Sequence, residues 1–357
     1  MLAVCRGINM VSESIVNKKE PYISIAIASY NYSKYLRRGI EAIDRQTYRD
    51  FEVVYLDDAS KDNSVEVIKD IMREYPGLNI RLLQNEKNMG ILYSKTRLTR
   101  ECAGKYIMLC DADDWMADDC LAKLAKAAQK TKADRIVSEV ANIDSDGKII
   151  QTQHIPQQAS AWLWNIHHGC LYRRSIITDN NIVMDYEPDD VCLITKFNMY
   201  CDKTEWVRET LYYWYVHTDS SGRATGTLEI TDMTDKFKVM IDNIRQTYEA
   251  LEQTAPQKVQ DGALAVLAMK LYYLQLYHSM RYFNIGQKLE GYRRLHKVML
   301  EGFPGYIKTG YAAMSSKNIR GYAYHIIKVS RVIERLHLMG PALIGYHLVG
   351  KFVYIDQ

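Results

Sequence analysis

Four short apolar runs, each closed by a polar or acidic turn and followed by a stretch with helical spacing, dominate the first third of the chain. Tyr22-Ile23-Ser24-Ile25-Ala26-Ile27-Ala28 stops at Ser29-Tyr30-Asn31, and Tyr35 to Gln46 then carries Leu36, Ile40 and Ile43 on one face. Phe51 to Leu56 runs into Asp57-Asp58-Ala59-Ser60, ahead of a predicted helix from Ser64 to about Tyr75. Ile80 to Leu83 precedes Asn88-Met89-Gly90 and a third helical stretch. Tyr106 to Cys110 ends at Asp111-Ala112-Asp113-Asp114, and Met116 to Gln129 again has helical spacing. Strands that are apolar throughout and alternate with helices require a parallel sheet buried on both faces. Such sheets bind ligands beyond the carboxyl ends of their strands, and here those ends carry Tyr30, Asn31, Asp57, Asp58, Asp111 and Asp113.

From about Thr231 long helical patterns rich in Tyr, Leu and Met take over, and Ala263 to Tyr277 is apolar nearly all round, as a buried helix would be. The expected organisation is an N-terminal extension over 1–20, an α/β domain over 21–229 and a mostly helical region over 230–357. With 357 residues, 47% hydrophobic and 25% charged, the chain can bury a large core, which excludes disordered and collagen-like classes. No run reaches the roughly 18 apolar residues of a spanning helix. The first 20 residues lack the apolar stretch of a signal peptide, so cytoplasmic residence is expected, on or near the inner face of the cell membrane. Seven scattered cysteines without a C-x-x-C pair suggest neither a zinc site nor a disulfide framework. The net charge of +3 hides an asymmetry: residues 231–357 hold 17 Lys and Arg against 10 Asp and Glu, and the remainder is acidic.

Asp111-Ala112-Asp113 is the centre of the chemical argument. Two carboxylates at the end of a buried strand can face one divalent cation, which takes oxygen ligands and keeps room for substrate phosphates. Alone, D-x-D is equally an Asp-rich turn that caps the next helix. Asp57-Asp58 ends another strand of the same sheet, and neighbouring acidic ends repel unless a cation or donor groups compensate them.

These residues resemble the nucleotide-sugar-binding half of the inverting family 2 glycosyltransferases with the GT-A fold. The resemblance covers residues 22–130 and rests on an ordered series: Ile23 to Asn31, Tyr35-Leu36, Gln46-Thr47-Tyr48 with Phe51-Glu52, Asp57 to Asp62, Asn88-Met89-Gly90, Ala103-Gly104-Lys105-Tyr106-Ile107, and Asp111-Ala112-Asp113-Asp114. It implies a Rossmann-like, mostly parallel sheet flanked by helices, with a C-terminal helical region. It further implies that Tyr30 stacks on the nucleotide base, that the Ala28 backbone and the Asp58 carboxylate read its edge, and that Asp111 and Asp113 hold ribose and a Mn2+ or Mg2+ ion. Where the family usually has Arg-Asn after Asn-x-Gly, this chain has Lys95-Thr96, which keeps a cation but loses the guanidinium fork.

The second half matches more loosely. His168 to Arg174 resembles the family's acceptor-side strand, and Glu187-Pro188-Asp189-Asp190 stands where the family has Glu-Asp opening a helix. Asp190 aligns with the catalytic base, with Asp189 beside it and Asp185 upstream. His217, after the strand Thr210 to Val216, resembles the start of the closing His-x-x-Ser segment and is a candidate for the metal or diphosphate, with Arg223 able to close over it. Trp162, Trp164, His167 and His168 offer aromatic faces for an acceptor sugar, or simple packing. In Ile326 to Leu338, Ile326, Val329, Ile333 and Leu336 share one face and Lys328, Arg331 and Arg335 another, a pattern for a membrane surface or for docking on the catalytic domain.

The resemblance implies a metal-dependent inverting transferase that moves a sugar from a nucleotide-sugar, foremost a UDP-sugar, to a glycan or lipid-linked saccharide in surface polysaccharide synthesis. The alternative is a non-catalytic nucleotide-sugar or carbohydrate-binding relative. A haloacid-dehalogenase-type phosphatase needs its D-x-D on the first strand, and a nucleotidyltransferase needs a Gly- and Arg-rich loop after it; neither is present. A nucleic-acid partner is disfavoured because the basic residues lie away from the strand ends.

Overall fold

The computed structural model describes residues 20–182, 190–217, 229–280, 283–319 and 321–349; the side chains of Asp190, His278 and Val349 are outside it. The N-terminal part alternates as the sequence requires: β1 (Ile23–Ser29), α1 (Leu36–Asp44), β2 (Phe51–Asp57), α2 (Ser64–Glu74), β3 (Ile80–Gln84), α3 (Ile91–Glu101) and β4 (Tyr106–Asp111). Next come β5 (Trp115–Met116), α4 (Cys120–Thr131), β6 (Arg135–Ile143), β7 (Ile149–Gln153), β8 (Cys170–Arg173), α5 (Arg174–Asp179), α6 (Asp190–Tyr200) and β9 (Thr204–Tyr215). Five helices follow: α7 (Ile230–Thr254), α8 (Ala263–Leu274), α9 (Ile285–Gly302), α10 (Gly321–Arg335) and α11 (Met339–Val349).

One mixed sheet runs in the order β3-β2-β1-β4-β8-β6-β9-β5, with β7 paired to β6. Strands β3, β2, β1 and β4 are parallel; β8 then runs antiparallel to both β4 and β6, while β6 and β9 pair in parallel. The period-2 alternation of a strand sends neighbouring side chains to opposite faces. Ile23, Ile25, Ile27, Val53, Tyr55, Tyr106, Met108 and Cys110 meet α1, α2 and α4, whereas Ala26, Ala28, Val54, Leu56, Ile107 and Leu109 meet Leu98 of α3, Ile177 of α5 and Leu193 and Phe197 of α6.

Chain order turns back at β1, which has β2 on one side and β4 on the other, and ligands of such sheets bind at that switch point. Register aligns Ala28 with Leu56 and Asp111, and Ser29 with Asp57, so the polar strand ends form a row. At Gly104 a Cβ would lie 2.5 Å from Ser24 N, so glycine there lets the chain enter β4 tightly beside β1.

The structure adjusts several element boundaries. The helix expected from Met116 starts at Cys120, because Trp115 and Met116 pair with Tyr213 and Tyr212 of β9. The strand expected over 210–216 extends back to Thr204 through its ladder with β6. The helical region has its own core, built on α7, α8 and α9, which reaches the sheet-bearing part through Trp162, Leu163, Val191 and Cys192. Residue 230, where the helical region was expected to begin, opens α7; residues 218–228 before it lie outside the described residues, as do 1–19 of the expected extension.

Candidate active site

The turns after β1 and β2 are laced together. Asn31 and Ala59 both adopt left-handed backbone, with φ of 57° and 58°. The Asn31 N–H donates to Ser60 Oγ (2.9 Å), and Asn31 Oδ1 accepts from the Lys61 N–H (2.7 Å). The Ser33 N–H donates to Asp62 (3.1 Å). Tyr30 stands on this braced turn, half-buried.

Asp58 is buried, and its carboxylate accepts from Asn85 Nδ2 (2.6 Å), the Met89 N–H (2.9 Å) and the Gly90 N–H (2.8 Å). It pins the Asn88-Met89-Gly90 turn, where Gly90 has φ 87°, and so fixes the start of α3 beside the strand ends. A carboxylate offers about four acceptor positions, so this bracket leaves roughly one for a ligand.

The three acids after β4 meet three environments. Asp111 Oδ1 lies 3.1 Å from Lys95 Nζ, and Asp111 Oδ2 lies 3.1 Å from His168 Nε2. Lys95 is itself buried and donates to His167 Nε2 at 3.2 Å. Burial alone would raise the Asp111 carboxyl, but the Lys95 ammonium, the adjacent His167 imidazole and the hydrogen bond from His168 outweigh it and hold the group well below the usual carboxylate range. Asp113 Oδ2 lies 2.6 Å from His217 Nε2, and the other ring nitrogen of His217 meets the Tyr35 hydroxyl at 3.2 Å. Burial and the neighbouring Asp111 charge push Asp113 up, against the pull of His217. Asp114 faces inward, its Oδ2 accepting from the Tyr212 hydroxyl and its Oδ1 from the Tyr215 N–H, both at 2.9 Å. Burial, with Asp111 and Asp113 beside it, pushes Asp114 well above the usual range.

Two groups of potential metal donors therefore sit side by side. Asp113 and His217, both largely buried, pair a carboxylate oxygen with an imidazole nitrogen, a donor set that suits a small divalent cation. Asp111, His167 and His168 also bring ligand atoms within 4.8 Å of one another, but the Lys95 ammonium already stands against Asp111 and His167. The donor chemistry thus fits a divalent metal at Asp113 and His217, with the charge of Asp111 balanced from within the chain.

Some features were invisible in the sequence. His167 and His168 are buried, their rings 4.1 Å apart, and His168 stacks on Trp214 at 4.7 Å, so they line the Asp111 side of the site instead of presenting an acceptor platform. Trp162 and Trp164 are buried as well, Trp164 packing edge-on against Trp206. The His-His pair preceding a strand was the one available signal. Arg38 had none: its guanidinium lies 3.8 Å from the Trp115 ring centroid and 4.1 Å from that of Tyr215, and donates to the Asp113 carbonyl (3.1 Å). Gly169, with φ 64°, lets β8 leave the His-His pair where a Cβ would run into Ser138 Oγ. Asp190 is the first residue of α6; Asp185, Asp189 and Arg223 lie outside the described residues.

Comparison with known proteins gives the same architecture. The sequence model described as Glycosyl transferase family 2 matches residues 24–182. The glycosyltransferase GlyG of Streptococcus pneumoniae is 26% identical over 210 residues, 53% of this chain and 69% of that protein. The glycosyltransferases YibD of Escherichia coli and alr2836 of Nostoc are matched over 63% and 65% of their own lengths, so these relatives extend beyond the shared region. Among solved structures, S. aureus TarS 1–349 in complex with UDP-GlcNAc superimposes with a TM-score of 0.66 over 89% of this chain and 92% of that one, at 16% identity. The mannosyltransferase PcManGT of Pyrobaculum calidifontis, in complex with GDP-Man and Mn2+, gives 0.52 over 95% and 89%, at 15% identity. Residues 24–182 thus match glycosyl transferase family 2, and the chain has the GT-A fold of these solved glycosyltransferases.

Proposed function

We propose that the protein is a metal-dependent inverting glycosyltransferase that takes a hexosyl or N-acetylhexosaminyl group from a UDP-sugar. The acceptor is a hydroxyl of a glycan or lipid-linked saccharide in surface polysaccharide synthesis. The observation that carries this reading is the pairing of Asp113 with His217 next to the Lys95-neutralised Asp111, all at the switch point of the sheet. The UDP-GlcNAc bound by TarS and the Mn2+ and GDP-Man bound by PcManGT support the donor class and the metal.

In this account the base stacks on Tyr30, and the Ala28 backbone and the remaining lone pair of Asp58 read its edge. Asp111, kept ionised, accepts from the ribose hydroxyls. Asp113 and His217 hold the metal, which when bound takes up negative charge developing on the diphosphate. Asp190 at the start of α6 removes the proton from the acceptor hydroxyl, with Asp189 next to it in sequence as the alternate base. One base opposite one leaving group gives inversion at the anomeric carbon.

The test is a panel of UDP- and GDP-sugars, each assayed with Mn2+ or Mg2+ for nucleoside diphosphate release and for the configuration of the product. Asp190→Asn is expected to leave UDP affinity within about twofold while lowering kcat by roughly 10² to 10⁴. Near-normal turnover in that variant would move the base to Asp189 or Asp185.

A further inference from the structure

Fourteen large apolar side chains stand conspicuously exposed among the described residues, and six of them fall within 321–349: Tyr322, Val329, Val332, Leu336, Leu338 and Leu348. Helix α10 explains the cluster. Its inward face is Ala323, Ile327, Ser330 and Glu334, with Ile326 and Ile333 partly buried on the same core. That leaves Val329 and Val332, with Leu336 just past the helix end, at steps of three and four on an outward line where they are 55%, 53% and 61% exposed. The outward stripe thus differs from the face read in the sequence, because Ile326 and Ile333 are claimed by packing.

Charge sorts in the same way. Arg331 turns inward and donates to the Ile307 carbonyl (2.9 Å) and the Thr309 carbonyl. Lys328 and Arg335 remain exposed beside the apolar line, Arg335 while also donating to the Ile307 carbonyl (2.9 Å). The single carboxylate of residues 321–349, Glu334, is buried under hydroxyl donors from Tyr272 and Tyr273, both at 2.7 Å. The outward face therefore presents valine, leucine, lysine and arginine with no acid among them.

We propose that the outward face of α10, with Leu338 after it, docks on an anionic lipid bilayer. The charge pattern argues against a second copy of the chain as occupant, since a two-fold contact through this face would set Lys328 and Arg335 against their own equivalents with no carboxylate to pair. No helix among the described residues is long and apolar enough to cross a membrane, so the contact lies in the plane of the lipid surface. Apolar side chains enter the headgroup boundary while each cation near it adds about fivefold to partitioning, an effect that salt screens. For a transferase with a lipid-linked acceptor, this face would bring the catalytic half to its substrate.

The test is co-sedimentation of the full chain with phosphatidylcholine vesicles that contain or lack phosphatidylglycerol, without nucleotide, so that its outcome is separate from that of the donor reading. The wild type is expected to sediment with the phosphatidylglycerol vesicles and to be released by salt. Val332→Glu with Leu336→Glu is expected to lower partitioning at least about tenfold, while Ile150→Glu, at an exposed position of β7, leaves it unchanged. Should the double variant not fold, as judged by its melting transition, Lys328→Gln with Arg335→Gln serves instead, with the same expected direction. Wild-type chain that stays in the supernatant, or a folded variant that binds as well as wild type, overturns the proposal. So does a variant whose only change is the conversion of a dimer to a monomer, which would place a second copy on this face.

Discussion

Asp111, Asp113 and Asp114 share one turn, yet their surroundings assign them different work: Asp111 is balanced by Lys95, Asp113 faces His217, and Asp114 is enclosed by Tyr212 and Tyr215. The enclosure makes a stability prediction. Asp114→Ala leaves the Tyr212 hydroxyl and the Tyr215 N–H without their acceptor and should cost about 2–4 kcal/mol, whereas Asp114→Asn keeps an acceptor oxygen and should cost less than half as much, as read by urea denaturation. At Lys95 the expected effect is on binding. Lys95→Met leaves Asp111 facing two imidazoles without its ammonium and should weaken UDP at least about tenfold, together with a stability loss of about 3 kcal/mol from the broken buried ion pair. The acids were legible in the sequence because they end an apolar run. The ring of groups around them was not, since His167, His168, Tyr212, Tyr215 and His217 arrive from strands and turns 50 to 100 residues away, and no local spacing encodes that meeting. Arg38 lacked even a candidate role, for a guanidinium between two rings is a product of packing alone.

Among the elements, the parallel half was read strand by strand because each β-α unit is contiguous and its apolar run is unbroken. The other half depends on non-local pairing. Met116 has the spacing of a helix start but is drawn with Trp115 into a two-residue strand by β9, and β6, whose apolar run is broken by Ser138, Glu139 and Asn142, is defined by its partners β8 and β9. Gly169 lies at the hinge between the buried histidines and β8, and its positive φ and the adjacent Ser138 side chain leave no room for a Cβ. Gly169→Ala should therefore destabilise by about 1–3 kcal/mol. If the displaced histidines carry the Asp111 arrangement, it should also weaken UDP; a variant with lowered stability and unchanged UDP affinity would separate the hinge from the site.

At the scale of the whole molecule, two cores meet along α6, whose Val191 and Cys192 join the helical core while Leu193 and Phe197 join the sheet. Glu334 is the polar anchor of the helical core, holding α10 to α8 through Tyr272 and Tyr273 and to α9 through His296 at 2.9 Å. Burial would raise this carboxyl, but the hydrogen bonds from His296 and the tyrosines prevail and hold it below its usual range. A carboxyl lowered in the folded state stabilises it fully above the unfolded pKa and loses that contribution as pH falls through the folded pKa. Wild-type stability should accordingly decline on acidification below the ordinary glutamate range, and Glu334→Gln should start lower and show a flatter acid limb in urea melts across pH. The parallel part of the sheet and the presence of a helical region could be foreseen from sequence, but the face on which α10 packs depended on which isoleucines the core took. The central claim, a nucleotide-sugar site built on Asp113 and His217 beside Asp111, is met most directly by isothermal titration of UDP with and without Mn2+ on the wild type and on Asp113→Asn. Binding should need Mn2+ in the wild type and be lost in the variant; UDP affinity that is equal with and without metal, or unaltered by Asp113→Asn, would rule this site out.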